Sequence, residues 1–464
     1  MLAICQPADN IYVNVSIERD AAPVRTPTNR LQRTVGAFRN YNFRLYFSGQ
    51  LISQVGAWMQ KIGQAWLVLQ ITHSPIALGT VAALQFLPIL CGSLFASVLV
   101  DRVPKHRLLL VTQTLALVQS VVLAGLTVTG HIQLWHIYLL ALFLGIVNAL
   151  DSPARLAFIM ELVGRDNVVN AVGLNSAMNN GARLFGPALA GVTIAIWGVG
   201  TCFVLNAISF LAVVIGLALM RPSEFQAVPE RATLRKNVAA EMGEGLRYIF
   251  GRPELVMVTI GMAGLGCFGY NYNTVVPLLA ENALHLGPDG FGLLMTAVGL
   301  GALVGAIGVA SAARRPSSRK LLLAGAGFAL AQIAVSFAPS FLAAFGLLAV
   351  MALCSMLFAT SSNSILQLGS PDHLRGRIMG IYSTLLVGTT PIGSMLTGFL
   401  AAAVGIRQTM ATWGTLCLLI VGAAAFYGLR TGVIGLPGRV ADHSRPDGPA
   451  SATLPELQGS LTQT

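Results

Sequence analysis

Charged residues are scarce in this chain of 464 residues. They make up 10% of it, whereas hydrophobic residues make up 55% and the mean hydropathy is +0.70. A soluble protein of this length would carry about 25% charged residues. The scarcity therefore argues against an ordinary soluble domain and predicts a protein that crosses a membrane many times.

The chain also lacks the short motifs of several enzyme classes. It has no glycine-rich loop ending in Lys-Ser/Thr for nucleotide phosphates and no His-Glu-x-x-His run for zinc. The six cysteines lie far apart, without the spacing of a metal site, and we interpret them as packing residues. Residues 1–40 lack the charged-then-apolar pattern of a signal peptide. These absences predict a protein that is not an enzyme and binds no metal or cofactor.

The apolar residues gather in about twelve segments, each long enough to cross a bilayer at roughly 20 residues per crossing. A backbone in lipid must satisfy its hydrogen bonds internally, so such segments predict an all-α membrane protein. They divide six and six around a polar stretch. The predicted units are an N-terminal tail (1–43), a six-helix bundle (44–220), a central loop (221–253), a second six-helix bundle (254–430) and a C-terminal tail (431–464).

Arginine and lysine concentrate in alternate connections between the segments. They precede the first segment, follow the second as "DRVPKHR" (101–107), occupy the central loop, and recur as "RRPSSRK" (314–320) and "HLRGR" (373–377). The intervening connections hold almost none, apart from Arg407. The positive-inside rule then predicts that both termini are cytoplasmic. Because the basic residues are scattered, the net charge of +11 does not indicate nucleic-acid binding.

An internal repeat relates the fifth and the eleventh segments. "GLNSAMNNGARLFGPALAG" (173–191) aligns without gaps on "GIYSTLLVGTTPIGSMLTG" (380–398), and its glycines recur in register. The repeat predicts two pseudo-symmetric halves. Gly186, Pro187 and Gly191 would then lie where the bundles pack and bend during a conformational change. The alternative is that they are ordinary packing residues of a membrane helix.

These features resemble the major facilitator superfamily, in which two six-helix bundles rock around a central cavity. "SVLVDRVPKHR" (97–107) is similar to the superfamily's loop 2–3 signature, with two glycines replaced, and "GPALAG" (186–191) is similar to the helix-five signature of its exporters. Together with "GQLISQVGAWMQKIGQAWLVLQITHSP" (49–75) and "NALDSPARLAFIMELV" (148–163), they resemble the branch that contains the enterobactin exporter and related drug exporters.

The resemblance implies a secondary transporter of a small molecule that works by alternating access in the plasma membrane. The family commonly uses the proton gradient. The expected partners are therefore the lipid bilayer, the cargo and protons, and we expect no nucleic acid. We expect a monomer. Export is the favoured direction, by analogy with the motif. An importer of a small metabolite and a membrane sensor or scaffold without flux remain alternatives.

Two cations are predicted near the bilayer midplane. Lys61 and Arg183 lie about halfway along their segments, where a charge costs about 2.5–3.5 kcal/mol or more, so each should face the protein interior or a cavity. As the segments are drawn, no acidic residue lies at that depth, which favours an anionic or acidic amphipathic cargo. The alternative is that amides and backbone carbonyls bind both cations. The further candidates for the cavity wall are Gln54, Asn179, Tyr270, Asn273, Asn363 and Gln367.

Other charged residues suggest proton coupling and gating. Asp151 and Glu281 are the candidates for proton transfer, because a carboxylate in partly apolar surroundings can titrate near neutrality. The residues predicted to form a cytoplasmic gate are Asp101, Arg102, Arg375 and Arg377. An ion pair from Asp101 to either later arginine could exist only while the cytoplasmic side is closed. The alternative is that Asp101 serves only topology or local loop structure.

Overall fold

A computed structural model of the chain contains only helices and the turns between them in the residues that it describes. These are residues 36–226, 238–311 and 317–434. Most of the two predicted tails and part of the predicted central loop lie outside these ranges. The α-helices in chain order are α1 (Tyr41–Thr72), α2 (Pro75–Arg102), α3 (Lys105–Val128), α4 (Leu134–Trp197), α5 (Val199–Ala218), α6 (Val238–Phe250), α7 (Pro253–Gly264), α8 (Tyr272–Leu278), α9 (Pro288–Ser311), α10 (Ser318–Ser336), α11 (Phe341–Leu368), α12 (Asp372–Ser383), α13 (Thr390–Val404) and α14 (Ile406–Arg430).

Three of the connections are π-helical turns, in which the helix widens by one residue. Leu265–Gly269 follows α7, Leu279–Ala283 follows α8, and Thr384–Gly388 separates α12 from α13. All three belong to the C-terminal half. In the described part of the N-terminal half, the long helices contain no such turn.

Helix α4 joins two segments that the sequence predicted as separate helices. Gly164 has φ 68° and ψ 179°, outside the helical region, and divides α4 into a first arm (134–163) and a second arm (165–197). Glycine adopts a positive φ without the steric cost of a Cβ, so the chain can change direction there without a loop. The second arm contains the first copy of the internal repeat, residues 173–191.

Ten helical segments in the described ranges are long and apolar enough to cross a membrane. The sequence predicted about twelve. The two that fall short are α1 and the second arm of α4, which carry Lys61 and Arg183 together with several amides. Twelve crossings, and cytoplasmic termini, therefore stay predictions.

Glycine ends corresponding helices of the two halves in the same way. Gly198 separates α4 from α5 with φ 83° and ψ 167°, and Gly405 separates α13 from α14 with φ 86° and ψ 160°. Each lies the same number of residues after the last glycine of the aligned repeat, Gly191 or Gly398. The internal repeat therefore extends past the aligned segments into the backbone of the following turns.

The two halves pack closely at the end where α2 and α9 begin. A Cβ added to Gly191 would lie 3.1 Å from the Cα of Gly292, and one added to Gly79 would lie 3.2 Å from the Cα of Gly398. Larger residues would hold these backbones apart. We call this the closed end, and we call the opposite end, where α1 begins and α14 ends, the terminal end.

Candidate cargo-binding site

A cavity of about 440 Å³ lies inside the N-terminal half, and we call it the central cavity. It extends from the middle of α1 toward the terminal end. Every side chain that lines it comes from α1 to α5, and many are glutamines and asparagines. Because these amides are both donors and acceptors, the wall can bind a polar ligand in many orientations.

Several amides of the wall are held by one another. Ser120 Oγ and Asn206 Nδ2 donate to Gln60 Oε1 at 2.9 Å and 2.7 Å, which ties α3 and α5 to α1. Gln54 Nε2 donates to Asn179 Oδ1 at 2.6 Å and ties α1 to the second arm of α4. The two predicted residues Gln54 and Asn179 therefore both line the central cavity and bind each other.

Lys61 lines the central cavity, as a midplane cation of α1 was expected to do. Its Nζ lies 4.5 Å from the centre of the Trp58 ring, within the range of a cation–π interaction. Among the described residues, the ammonium donates no hydrogen bond and has no ion pair. The amides of the wall are thus not bound to it, and its three donors remain available to a ligand.

One carboxylate, Asp151, also lines the central cavity, toward the terminal end. Asp151 is 2% exposed and accepts hydrogen bonds from Thr112 Oγ1 at 2.9 Å and Gln113 Nε2 at 2.7 Å. It also pairs with Arg155, which in turn donates to Gln50. Because Arg155 neutralises Asp151, the charge of Lys61 gives the wall of the central cavity a net positive charge.

Arg155 was missed by the sequence reasoning, which considered Asp151 without a partner. The signal was present, because a residue four positions later lies on the same face of a helix. Arg155 lines the central cavity together with Asp151 and Lys61.

A second, smaller cavity of about 100 Å³ lies between the two halves, and we call it the small cavity. Its wall consists of Trp58, Arg183, Tyr270, Tyr272, Asn273, Met295 and Val298. The predicted residues Arg183, Tyr270 and Asn273 therefore come together here. They do not line the central cavity that contains Lys61.

Trp58 lies close to both predicted cations. The guanidinium carbon of Arg183 lies 6.0 Å from the ring centre, and Lys61 Nζ also lies within cation–π range of the same ring. Gly186 leaves room for the indole, because a Cβ on Gly186 would lie 2.5 Å from the Cβ of Trp58. The neighbouring Pro187 contributes its carbonyl oxygen to the close approach of Gly292.

Some predicted site residues lie outside both cavities. Gln367 Nε2 donates to Asn363 Oδ1 at 2.8 Å, and neither residue lines the central or the small cavity. Glu281 lies at the closed end, where its Oε1 is 3.0 Å from His73 Nδ1 of the other half. It is therefore remote from Asp151, the other candidate for proton coupling.

The predicted gate residues lie toward the terminal end. Arg377 pairs with Glu244 of α6, and Arg375 Nε donates to Gln367 O at 3.4 Å. Arg102 is exposed at the end of α2. The side chain of Asp101 lies outside the described residues, so the pairing proposed for it stays a prediction.

Two repeated helical halves with many apolar segments, packed around buried polar cavities, define a multi-pass membrane transporter. Residues 33–439 match the family model described as transmembrane secretion effector. The chain belongs to this family of the major facilitator superfamily, and the family implies that it is not an enzyme.

Relatives over most of the chain are transporters of siderophores or drugs. The staphyloferrin A transporter of Staphylococcus aureus is 26% identical over 82% of this chain and 94% of its own length. The multidrug efflux pump Tap of Mycolicibacterium fortuitum is 26% identical over 81% and 93%. The enterobactin exporter EntS of Citrobacter koseri is 27% identical over 78% and 85%. The resemblance read from the motifs is thereby confirmed.

The fold is also found in solved structures. A bacterial homologue of the human lysosomal transporter Spinster, solved in an inward-facing conformation, has a TM-score of 0.61 and 16% identity. The match covers 87% of this chain and 98% of the other. At this identity, the likeness supports the fold.

Proposed function

We propose that this protein is a secondary active exporter of a small anionic, amphipathic molecule and that it works by alternating access. The observation that carries the proposal concerns Lys61 and Arg183. Each cation lies beside a buried cavity, and neither donates a hydrogen bond to any described residue. A charge at membrane depth costs about 2.5–3.5 kcal/mol or more, and an anionic cargo would offset part of that cost. The relatives named for siderophores and drugs support the size class of the cargo.

Proton coupling and location form part of the same proposal. The protein would lie in the plasma membrane of a bacterium, with both termini in the cytoplasm because basic residues concentrate in the loops of that side. The terminal end would then face the cytoplasm, and the central cavity would receive cargo from there. Asp151 and Glu281 are the carboxylates that we propose for proton transfer. Only Asp151 lines the central cavity.

A matched pair of compounds tests the charge preference. Salicylate and salicylamide have nearly the same shape, but only salicylate is an anion at neutral pH. In inverted bacterial membrane vesicles with an imposed pH gradient, we expect accumulation of salicylate above that of salicylamide. Lys61→Gln should reduce salicylate uptake about tenfold or more, because a hydrogen bond to a charged group contributes about 1.5–3 kcal/mol.

Lys61→Arg is the control, since it keeps the charge and should keep most of the uptake. Equal losses for salicylate and salicylamide in Lys61→Gln, at unchanged protein level, would contradict an anion-binding role. Binding of salicylate without flux in any gradient would favour a sensor instead of a transporter.

A further inference from the structure

Arg183 occupies a different compartment from Lys61. The central cavity is lined by Lys61 but by neither Trp58 nor Arg183, whereas the small cavity is lined by Trp58 and Arg183 but not by Lys61. The indole of Trp58 lies within reach of both cations, 4.5 Å from one and 6.0 Å from the other. Trp58 is therefore close to both cations, although the two cations line different cavities.

The small cavity holds a guanidinium whose hydrogen-bonding capacity is unused. Arginine has five N–H donors in a planar fork, and none of those of Arg183 reaches an acceptor in the described residues. Tyr270, beside it, is already engaged, because its hydroxyl donates to Ser355 O at 3.2 Å. Arg183 is half-buried and its donors are unused, so an acceptor that enters the cavity can form charge-assisted hydrogen bonds with it.

Size and charge restrict what that acceptor can be. A volume of about 100 Å³ is too small for a whole drug-sized cargo, whose pockets measure roughly 300–1,000 Å³, but it admits a single polar group. A guanidinium matches a carboxylate or a similar oxyanion through two parallel hydrogen bonds. No acidic side chain lines the small cavity to occupy this position.

We propose that the small cavity is a second anion subsite, which binds one carboxylate or similar oxyanion at Arg183, separately from Lys61. The assignment rests on the proposed function in regarding the anion as part of the cargo. Because Tyr270, Asn273, Met295 and Val298 of the other half form most of its wall, this subsite is where the C-terminal half contacts the anionic group. Lys61 and Arg183 then act as two successive positions for the anion, with Trp58 close to both.

The fluorescence of Trp58 can report on an anion bound at either cation, because its ring lies close to both. This measurement does not require a known transported cargo. We would use a protein that retains only this tryptophan, with Trp66, Trp135, Trp197 and Trp413 replaced by phenylalanine. Iodide is the probe, titrated at constant ionic strength, and acetate is the competitor. We expect biphasic quenching by iodide, with acetate relieving both phases.

Arg183→Met should remove one phase and Lys61→Met the other, while Arg183→Lys should retain the first because it keeps the charge. Quenching by neutral acrylamide should not change, which shows that the folded protein still exposes Trp58 equally. Loss of all iodide quenching in either Met variant would overturn the proposal, because it would indicate one continuous site. Unchanged quenching in Arg183→Met would overturn it as well. Biphasic quenching without salicylate flux would contradict only the proposed function.

Discussion

Arg155 changes how Asp151 should be regarded. Asp151 is held by three side chains, and its pair with Arg155 has little exposure on either side, 3% for the acid and 19% for the base. Breaking a buried ion pair by removing one partner costs about 3–5 kcal/mol, because the remaining charge is left uncompensated. A loss of transport in a variant of Asp151 could therefore arise from instability instead of lost proton transfer.

We predict that Asp151→Asn lowers the free energy of unfolding by about 3–5 kcal/mol and that adding Arg155→Gln restores much of it. Thermal unfolding in detergent, followed by a thiol-reactive dye, measures the change. The double variant then offers a folded background for coupling. Full pH-driven accumulation of salicylate in that background would show that the carboxylate is not needed for coupling.

Among the elements, the second arm of α4 depends on glycine at particular positions. A Cβ on Gly191 would meet only backbone, at 2.9 Å from Pro288 O and 3.2 Å from the Cα of Asp289. Backbone atoms cannot rotate away, so a side chain there must separate α4 from α9. Gly181 lies on the same arm with nothing within 4 Å of its added Cβ.

We predict that Gly191→Val opens the closed end, whereas Gly181→Val leaves it unchanged. Distances between spin labels at the exposed positions His131 and Pro339, introduced as unnatural amino acids, measure the separation of the halves. In Gly191→Val, the population of molecules with a longer distance between the two labels should increase. The same distribution in both variants would mean that the glycine contact does not control this end.

The sequence could predict features that are set by residues near one another in the chain. It could not predict features that are set by tertiary packing. The family and the repeat could be read from spacing and motifs, because each is recorded along the chain. The depth of Lys61 and Arg183 in the bilayer stays a prediction. The continuity of α4 could not be read from the sequence, since the conformation of Gly164 depends on what the two arms pack against. The placement of Lys61 and Arg183 in different cavities depends on how the helices pack. The orientation of Asn363 and Gln367 likewise depends on neighbouring helices.

Across the whole molecule, a hydrogen-bonded pair of side chains, His73 and Glu281, links the two halves. His73 ends α1 in a left-handed conformation, with φ 48° and ψ 23°, and its Nδ1 lies 3.0 Å from Glu281 Oε1. The second carboxylate oxygen of Glu281 is buried and has no partner among the described residues. The pair can form only while the two halves are in contact at the closed end. It is thus the counterpart of the gate predicted for Asp101 at the terminal end.

We predict that His73→Gln and Glu281→Gln each raise the population that is open at the closed end, and that His73→Lys does not. The histidine side chain is 76% exposed, so the effect is small, about 0–1 kcal/mol or up to roughly fivefold in the ratio of the two states. The labels at positions 131 and 339 measure it. Additive effects in the double variant would indicate that the two residues do not act together.

The three π-helical turns should make the C-terminal half less stiff than the N-terminal half. A widened turn disturbs the regular ladder of backbone hydrogen bonds and is often found at functional sites. Two of these turns, Leu265–Gly269 and Leu279–Ala283, flank the short helix that carries Tyr272 and Asn273, and the third, Thr384–Gly388, interrupts the second copy of the repeat. The N-terminal half instead ties its helices together through buried amides. The N-terminal half should therefore move as a stiff body, while the C-terminal half bends around the cargo. Hydrogen exchange should be faster at these turns than in α1 or α3.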